Sequence, residues 1–363
     1  MTLKKILIVT DAWHPQINGV VRTLEATAHV LKQQGHEVCI VGPDSAHGFT
    51  LALPFYPSIQ LTFFAGRYIR TLFDTFQPDF IHIATEGPLG WSTRRLCLQR
   101  GVAFTTSYHT RFPEYLAARL PAFLGRFFQT LSYSVLRRFH ALSSAVMVAT
   151  PSLETILRQQ QFSRLVLWSR GVDDTVFQPI REKLATYDSL PRPLLLYVGR
   201  VAVEKNIRDF LNIKTEGTHI IIGDGPDVDL LSKEYPNARF LAPLEGRALA
   251  HHYAAADLFV FPSMTETFGL VLLEACACGL RIASFPAPGP LDLFSSKEAA
   301  DFVVLNSNLE TAVQQALLKE DNPSVPHNYI KSYSWEACTK QFFDHIQAPL
   351  PEERLTSFPS NDG

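Results

Sequence analysis

No apolar run in these 363 residues approaches the roughly 20 needed to cross a bilayer. The opening Met-Thr-Leu-Lys-Lys leads directly into Ile6-Leu-Ile-Val-Thr10, too short an apolar stretch for a secretory signal. A cytoplasmic protein is therefore expected. Cysteine is scarce, and Cys39, Cys97, Cys276, Cys278 and Cys338 are odd in number and scattered. Cys276 and Cys278 have one residue between them in a predicted helix and point to different faces, so neither a disulfide nor a zinc site follows. The chain has no G-x-x-x-x-G-K-[ST], and no G-x-G-x-x-G follows its first predicted strand, which removes the main support for a P-loop or a nicotinamide dinucleotide. His and Cys nowhere cluster at metal-ligand spacing, and neither metal nor cofactor is expected.

The length exceeds what one hydrophobic core supports, so two domains are expected. The net charge of −2 conceals an asymmetry: residues 1–180 carry 17 Lys/Arg against 11 Asp/Glu, net +6, while residues 181–363 carry 16 against 24, net −8. Short apolar runs alternate with helix-length segments. Strands are expected at Lys5 to Val9, His36 to Gly42, Asp79 to Ala84, Val102 to Ser107 and Ala145 to Thr150. Helices are expected at Val20 to Gln34, Thr62 to Phe76 and Leu89 to Arg100, with two more before Ala145. The pattern restarts after the proline-punctuated stretch 177–193, with strands at Leu194 to Val198, His219 to Ile222, Ala238 to Leu241 and Leu258 to Phe261. Such alternation predicts an α/β protein of two doubly wound, Rossmann-like domains: residues 1–176, a linker 177–193, residues 194–335, and a C-terminal helix and tail 336–363.

In such sheets ligands gather outside the carboxyl ends of strands. The marked loops all lie there: Asn18-Gly19-Val20, Gly199-Arg200 with Glu204-Lys205, Gly223-Asp-Gly-Pro226, and the segment Pro262-Ser-Met-Thr-Glu266-Thr-Phe-Gly269-Leu-Val-Leu-Leu-Glu274. In the last, two glutamates are separated by seven residues, with a helix expected to begin near Thr267. Leu270, Val271, Leu273, Ala275 and Ala277 nearly encircle that helix, so a charge at Glu274 is costly unless something satisfies it. Glu266 can cap the helix start, and Gly269 lets a ligand approach backbone amides.

These pieces together resemble the retaining glycosyltransferases of the GT4 family, from Asp11 to about Phe343. Pro262-Ser263 with Glu266, Phe268-Gly269, Glu274-Ala275 and Gly279 looks like the family's E-x7-E segment. Asn18-Gly19-Val20 is similar to its N-terminal glycine loop, and Val198-Gly199-Arg200 with Glu204-Lys205 to its diphosphate-binding segment. Gly171-Val172-Asp173 with Phe177 and Pro179 resembles its interdomain stretch, and Ser334-Trp335-Glu336 its entry to the last helices. After Gly279 this chain departs from the pattern: Pro286-Ala-Pro-Gly289-Pro290 stands where many relatives have paired glycines and an acid.

The resemblance implies the GT-B architecture, two Rossmann-like domains around a cleft, and a nucleotide-diphosphate sugar as donor. Arg200 and Lys205 would hold the diphosphate and Glu274 the ribose hydroxyls, while Glu266 and the backbone at Phe268 and Gly269 would contact the transferred sugar. Gly19 lies in the loop expected near the donor. His109, after a strand in Ser107-Tyr-His109-Thr-Arg111, would bind a sugar hydroxyl or orient groups at the anomeric carbon. In a front-face retaining mechanism the departing phosphate oxygen takes the acceptor proton; Glu266 as a covalent nucleophile is the alternative. GDP-mannose is favoured as donor with UDP-hexoses next, and a lipid or glycan as acceptor. A noncatalytic nucleotide-sugar-binding partner, or another GT-B enzyme such as an epimerase, are the competing readings.

Between Glu114 and Glu154 there is no acidic residue, while Arg119, Arg126, Arg137, Arg138 and His140 interleave with aromatics. One reading is a core-facing stripe of Phe128, Leu131, Val135 and Leu142 behind a solvated basic face. The other is peripheral association of Arg126 and Arg137 with anionic lipid on the inner face of a membrane. No nucleic-acid partner is expected.

Overall fold

The computed structural model describes residues 2–16, 18–53, 56–109, 113, 121–180, 184–266, 268–319 and 325–347. Its strands are β1 (Lys5–Val9), β2 (Glu37–Val41), β3 (Phe49–Leu53), β4 (Tyr56–Phe63), β5 (Phe80–Ile83), β6 (Thr105–Tyr108), β7 (Val146–Val148), β8 (Leu165–Leu167), β9 (Leu194–Val198), β10 (Thr218–Ile222), β11 (Arg239–Leu241), β12 (Leu258–Phe261), β13 (Ile282–Ser284) and β14 (Val303–Leu305).

They form two six-stranded parallel sheets, ordered β2-β1-β5-β6-β7-β8 and β11-β10-β9-β12-β13-β14, beside an antiparallel hairpin β3-β4. Central strands covered on both faces need continuous apolar runs. Ile6 to Val9 in β1, Leu194 to Val198 in β9 and Leu258 to Phe261 in β12 supply them, all buried. Helices flank each sheet, and the second has the strand order of a Rossmann domain. Its strand order reverses between β9 and β12, and that of the first sheet between β1 and β5.

The chain divides into two compact units, one running to Ser169 and resuming at Cys338, the other Arg170–Ala337. The change-over at Ser169 precedes the proline-rich stretch 177–193. From Gly171 the chain packs with the second unit, where Val172 bridges to Ser334 and Trp335 lies against Gly171. The helix Trp335–Ile346 sends Phe342 and Ile346 into the first unit's core with Ile6, Ile8 and Trp168.

The helix expected over 62–76 is shorter, Gly66–Phe76. Thr62 instead belongs to β4, where its hydroxyl meets that of Thr50 across the hairpin at 2.9 Å. Of the two helices expected before Ala145, Ala122–His140 is present, and the segment holding Glu114 and Arg119 lies outside the described residues.

Candidate active site

Two loops at the carboxyl ends of the second unit's strands, after β9 and β10, are tied together by backbone. Gly199 N–H donates to Ile222 O at 3.0 Å, Val201 N–H to Asp224 O at 2.8 Å, and Asp227 N–H to Val201 O at 3.2 Å. The buried Tyr197 hydroxyl donates to Arg200 O at 2.9 Å, and burial holds that phenol above its ordinary pKa. Between β9 and β12, where the strand order reverses, Lys205 forms an ion pair with Glu266, linking the loop after β9 to the loop after β12. Thr265 adds a hydroxyl bond to Glu204 O at 3.3 Å. Arg200 pairs with Glu204 on its own loop and is about half exposed. Lys205 and Glu266 are more enclosed, their side chains 21% and 25% exposed.

The loop after Glu266 ends at Gly269, the N-cap of the helix Leu270–Ala277, with φ of +83°. A side chain is strained in that left-handed conformation, which accounts for glycine here. The helix thus begins at Leu270; the expected start, Thr267, lies outside the described residues. Glu266 therefore does not cap it, and its carboxylate goes to Lys205 instead. Phe268 is buried. Gly289, within the departure from the family pattern, packs on this loop: a Cβ there would stand 2.9 Å from Phe268 O. Leu272 to Ala277 are all buried, as expected of an encircled helix, and Glu274 among them is only 6% exposed. Tyr253, from the helix Gly246–Ala255, donates its hydroxyl to Glu274 Oε2 at 2.9 Å.

In the first unit, Gly19 begins the helix Gly19–Gln33. The Asn18 side chain caps that helix, accepting from Val20 and Val21 N–H at 2.9 and 3.1 Å. His109 follows β6, half-buried, its ring 6.0 Å from that of Trp168; Thr110 and Arg111 lie outside the described residues. At this sheet's own reversal point, Asp11 follows β1 and accepts from Leu89 and Gly90 N–H at 3.0 and 3.3 Å and from the Thr85 hydroxyl at 3.1 Å. Desolvation outweighs these bonds and raises its pKa to about 6.

Residues 17–176 match the model of Glycosyltransferase Family 4, and residues 192–319 that of Glycosyl transferases group 1. The chain belongs to the GT4 glycosyltransferases. Its relatives include a GDP-mannose-dependent alpha-mannosyltransferase of Mycolicibacterium smegmatis, 29% identical over 376 residues that cover 97% of this chain and 99% of the relative. Another is the alpha-monoglucosyldiacylglycerol synthase of Acholeplasma laidlawii, 24% identical over 320 residues, 77% of this chain and 79% of the relative. The transferase shares its GT-B fold with sucrose-phosphate synthase from Thermosynechococcus elongatus, at a TM-score of 0.75 and 18% identity, covering 94% and 98% of the two chains. It also matches Anabaena HepE in complex with UDP and glucose, at 0.68 and 15%, covering 95% and 100%.

Sequence reasoning missed three features of the glycosyltransferase: Asp11 as a buried carboxylate, Tyr253 as the partner of Glu274, and an Asp-x-Asp at Asp227-Val228-Asp229. That last pair opens the helix Val228–Glu234, and no group of His, Cys, Asp or Glu able to hold a metal occurs among the described residues. The helix Ala122–His140 corrects a further expectation. Phe127, Phe128, Leu131, Val135 and the following Leu142 are exposed, Phe127 by 63% and Leu131 by 48%, while Tyr133 and Phe139 turn into the core. The helix carries two apolar stripes, and the sheet side takes the one with the larger aromatics, Tyr133 packing with Tyr108, Val146 and Leu153 and Phe139 with Leu89 and Phe104. Arg137 is committed to Gln160 O and the Ser134 hydroxyl, each at 3.1 Å. Arg126 and Arg138 are the exposed arginines.

Proposed function

We propose that the enzyme moves a hexose with retention from a nucleotide-diphosphate sugar, GDP-mannose before UDP-hexoses, to a lipid or glycan acceptor in α-linkage. The observation that carries this reading is the Lys205–Glu266 pair at the switch point of the second sheet. It offers an ammonium for the diphosphate beside a carboxylate for sugar hydroxyls. A leaving diphosphate gains charge as the glycosidic bond breaks, so a fixed cation stabilises the transition state more than the ground state. Arg200 adds a second cation on the same loop, and Glu274, buried one turn into the helix after Gly269, takes the ribose hydroxyls. Gly19 and His109 are further candidates for sugar contacts, on the family resemblance. The mannosyltransferase relatives favour GDP-mannose and an α-linkage, and the diacylglycerol-glucosylating relative favours a lipid acceptor.

A lipid acceptor accords with peripheral attachment to an anionic membrane through the helix Ala122–His140. Its exposed apolar stripe, flanked by Arg126 and Arg138 and without an acid from residue 115 to 153, fits a lipid interface. No helix among the described residues is long and apolar enough to span a membrane.

Donor titration by calorimetry across GDP-mannose, UDP-glucose and UDP-galactose, with Lys205→Ala beside the parent, tests the nucleotide and the cation together. Glu266→Ala should lower kcat by about a hundredfold. Glu274→Ala should raise donor KM roughly tenfold or more, since hydrogen bonds to a charged group contribute about 1.5–3 kcal/mol. Near-normal turnover in the Glu266 variant would remove that residue from the reaction.

A further inference from the structure

Tyr253 is fully buried, its ring edge-on to Phe177 at 6.0 Å and tilted against Phe259 at 5.6 Å. Packed between these rings, the phenol cannot follow a carboxylate that swings. Its hydroxyl crosses to the helix Leu270–Ala277 and donates to Glu274 Oε2 at 2.9 Å. That bond at Oε2 restrains how the carboxylate can turn. Glu274 sits on a helix whose other side chains from Leu272 to Ala277 are Leu, Ala and Cys, all buried.

We propose that Tyr253 is a positioning residue for the donor: its hydroxyl holds the Glu274 carboxylate in the one orientation that meets a nucleotide ribose. The inference rests on the ribose role of Glu274 proposed above. Tyr253→Phe removes one oxygen and leaves the ring packing in place, so it isolates the hydroxyl.

The experiment measures binding of GDP and UDP, each beside its 2′-deoxy and 3′-deoxy form, to the whole parent protein, Tyr253→Phe and Glu274→Gln. The parent should prefer the ribonucleotide to at least one deoxy form, and Glu274→Gln should lose that preference. Tyr253→Phe should shrink the preference by about tenfold, with deoxy affinity held within about twofold, and should raise donor KM with kcat little changed. A merely structural tyrosine would weaken ribo and deoxy forms alike, so a parent-like preference in Tyr253→Phe overturns the inference. Absence of any preference in the parent, or its survival in Glu274→Gln, overturns the ribose role of Glu274 instead. If the phenylalanine variant unfolds, 3-fluorotyrosine at position 253 keeps the hydroxyl. Its fluorine resonance should shift on adding the nucleotide in the parent and stay still in Glu274→Gln, and a resonance indifferent to nucleotide in both proteins overturns the inference.

Discussion

Asp11 holds a carboxylate where β1 ends, and its burial has a consequence in pH. A group whose folded pKa is raised, here from 3.8 to about 6, contributes stability that is fully present below 3.8 and is lost as the pH rises through about 6. The full swing is on the order of 3 kcal/mol. Relative to Asp11→Asn, the parent should therefore lose stability between about pH 4 and about pH 6 in urea unfolding, and a constant gap across that window would show a carboxylate that titrates normally. At this scale the sequence reveals what is local. Glu266, Gly269 and Glu274 share one strand-to-helix turn, and their spacing announces them. Asp11 binds an amide 78 positions away and Glu274 a phenol 21 positions away. Such pairs come together only when the sheets form, and no residue near Asp11 or Tyr253 in sequence marks them. Arg200 and Lys205 were legible as cations at a strand end, but not that each would be matched by a glutamate.

The elements of the second unit meet at the loop from Glu266 to Gly269, and the helix Pro288–Leu293 sets one wall of it through Gly289. A methyl group at that position meets the Phe268 carbonyl at 2.9 Å, so backbone has to yield. Gly289→Ala should displace the loop carrying Glu266 and lower kcat at least tenfold, with the thermal midpoint lowered by only a few degrees for a cost of about 1–2 kcal/mol. Wild-type turnover in this variant would show that the loop tolerates the shift. The long central strands were legible as continuous apolar runs. The strands β8, β13 and β14, with three residues each, were missed, while β7 and β11, just as short, were found. The hairpin β3-β4 was missed, and its last residues, Thr62-Phe63, were read into a helix because they run without a break toward Gly66–Phe76. On the helix Ala122–His140 periodicity picked the stripe of Phe128, Leu131 and Val135, and it has no means of telling which stripe faces the sheet.

Over the whole molecule the charge divides, net +6 in residues 1–180 against −8 in 181–363. An anionic surface would attract the first half and repel the second, which orients the enzyme before any apolar contact forms. Binding to vesicles of phosphatidylglycerol and phosphatidylcholine should fall several-fold in Arg126→Glu with Arg138→Glu, and in Phe127→Ser with Leu131→Ser, as judged by flotation. The arginine effect should shrink at high salt and the apolar one persist. Unchanged flotation in both pairs would return this face to solvent. The division into units has a different consequence, one of time. A ribosome delivers β1 to β8 first, then the whole of Arg170–Ala337, and only afterwards Phe342 and Ile346, which complete the core around Ile6, Ile8 and Trp168. The second unit has all its parts while the first still shows water an apolar face. In each newly made chain the part begun first is the part finished last, and it is there that a nascent transferase most needs a chaperone.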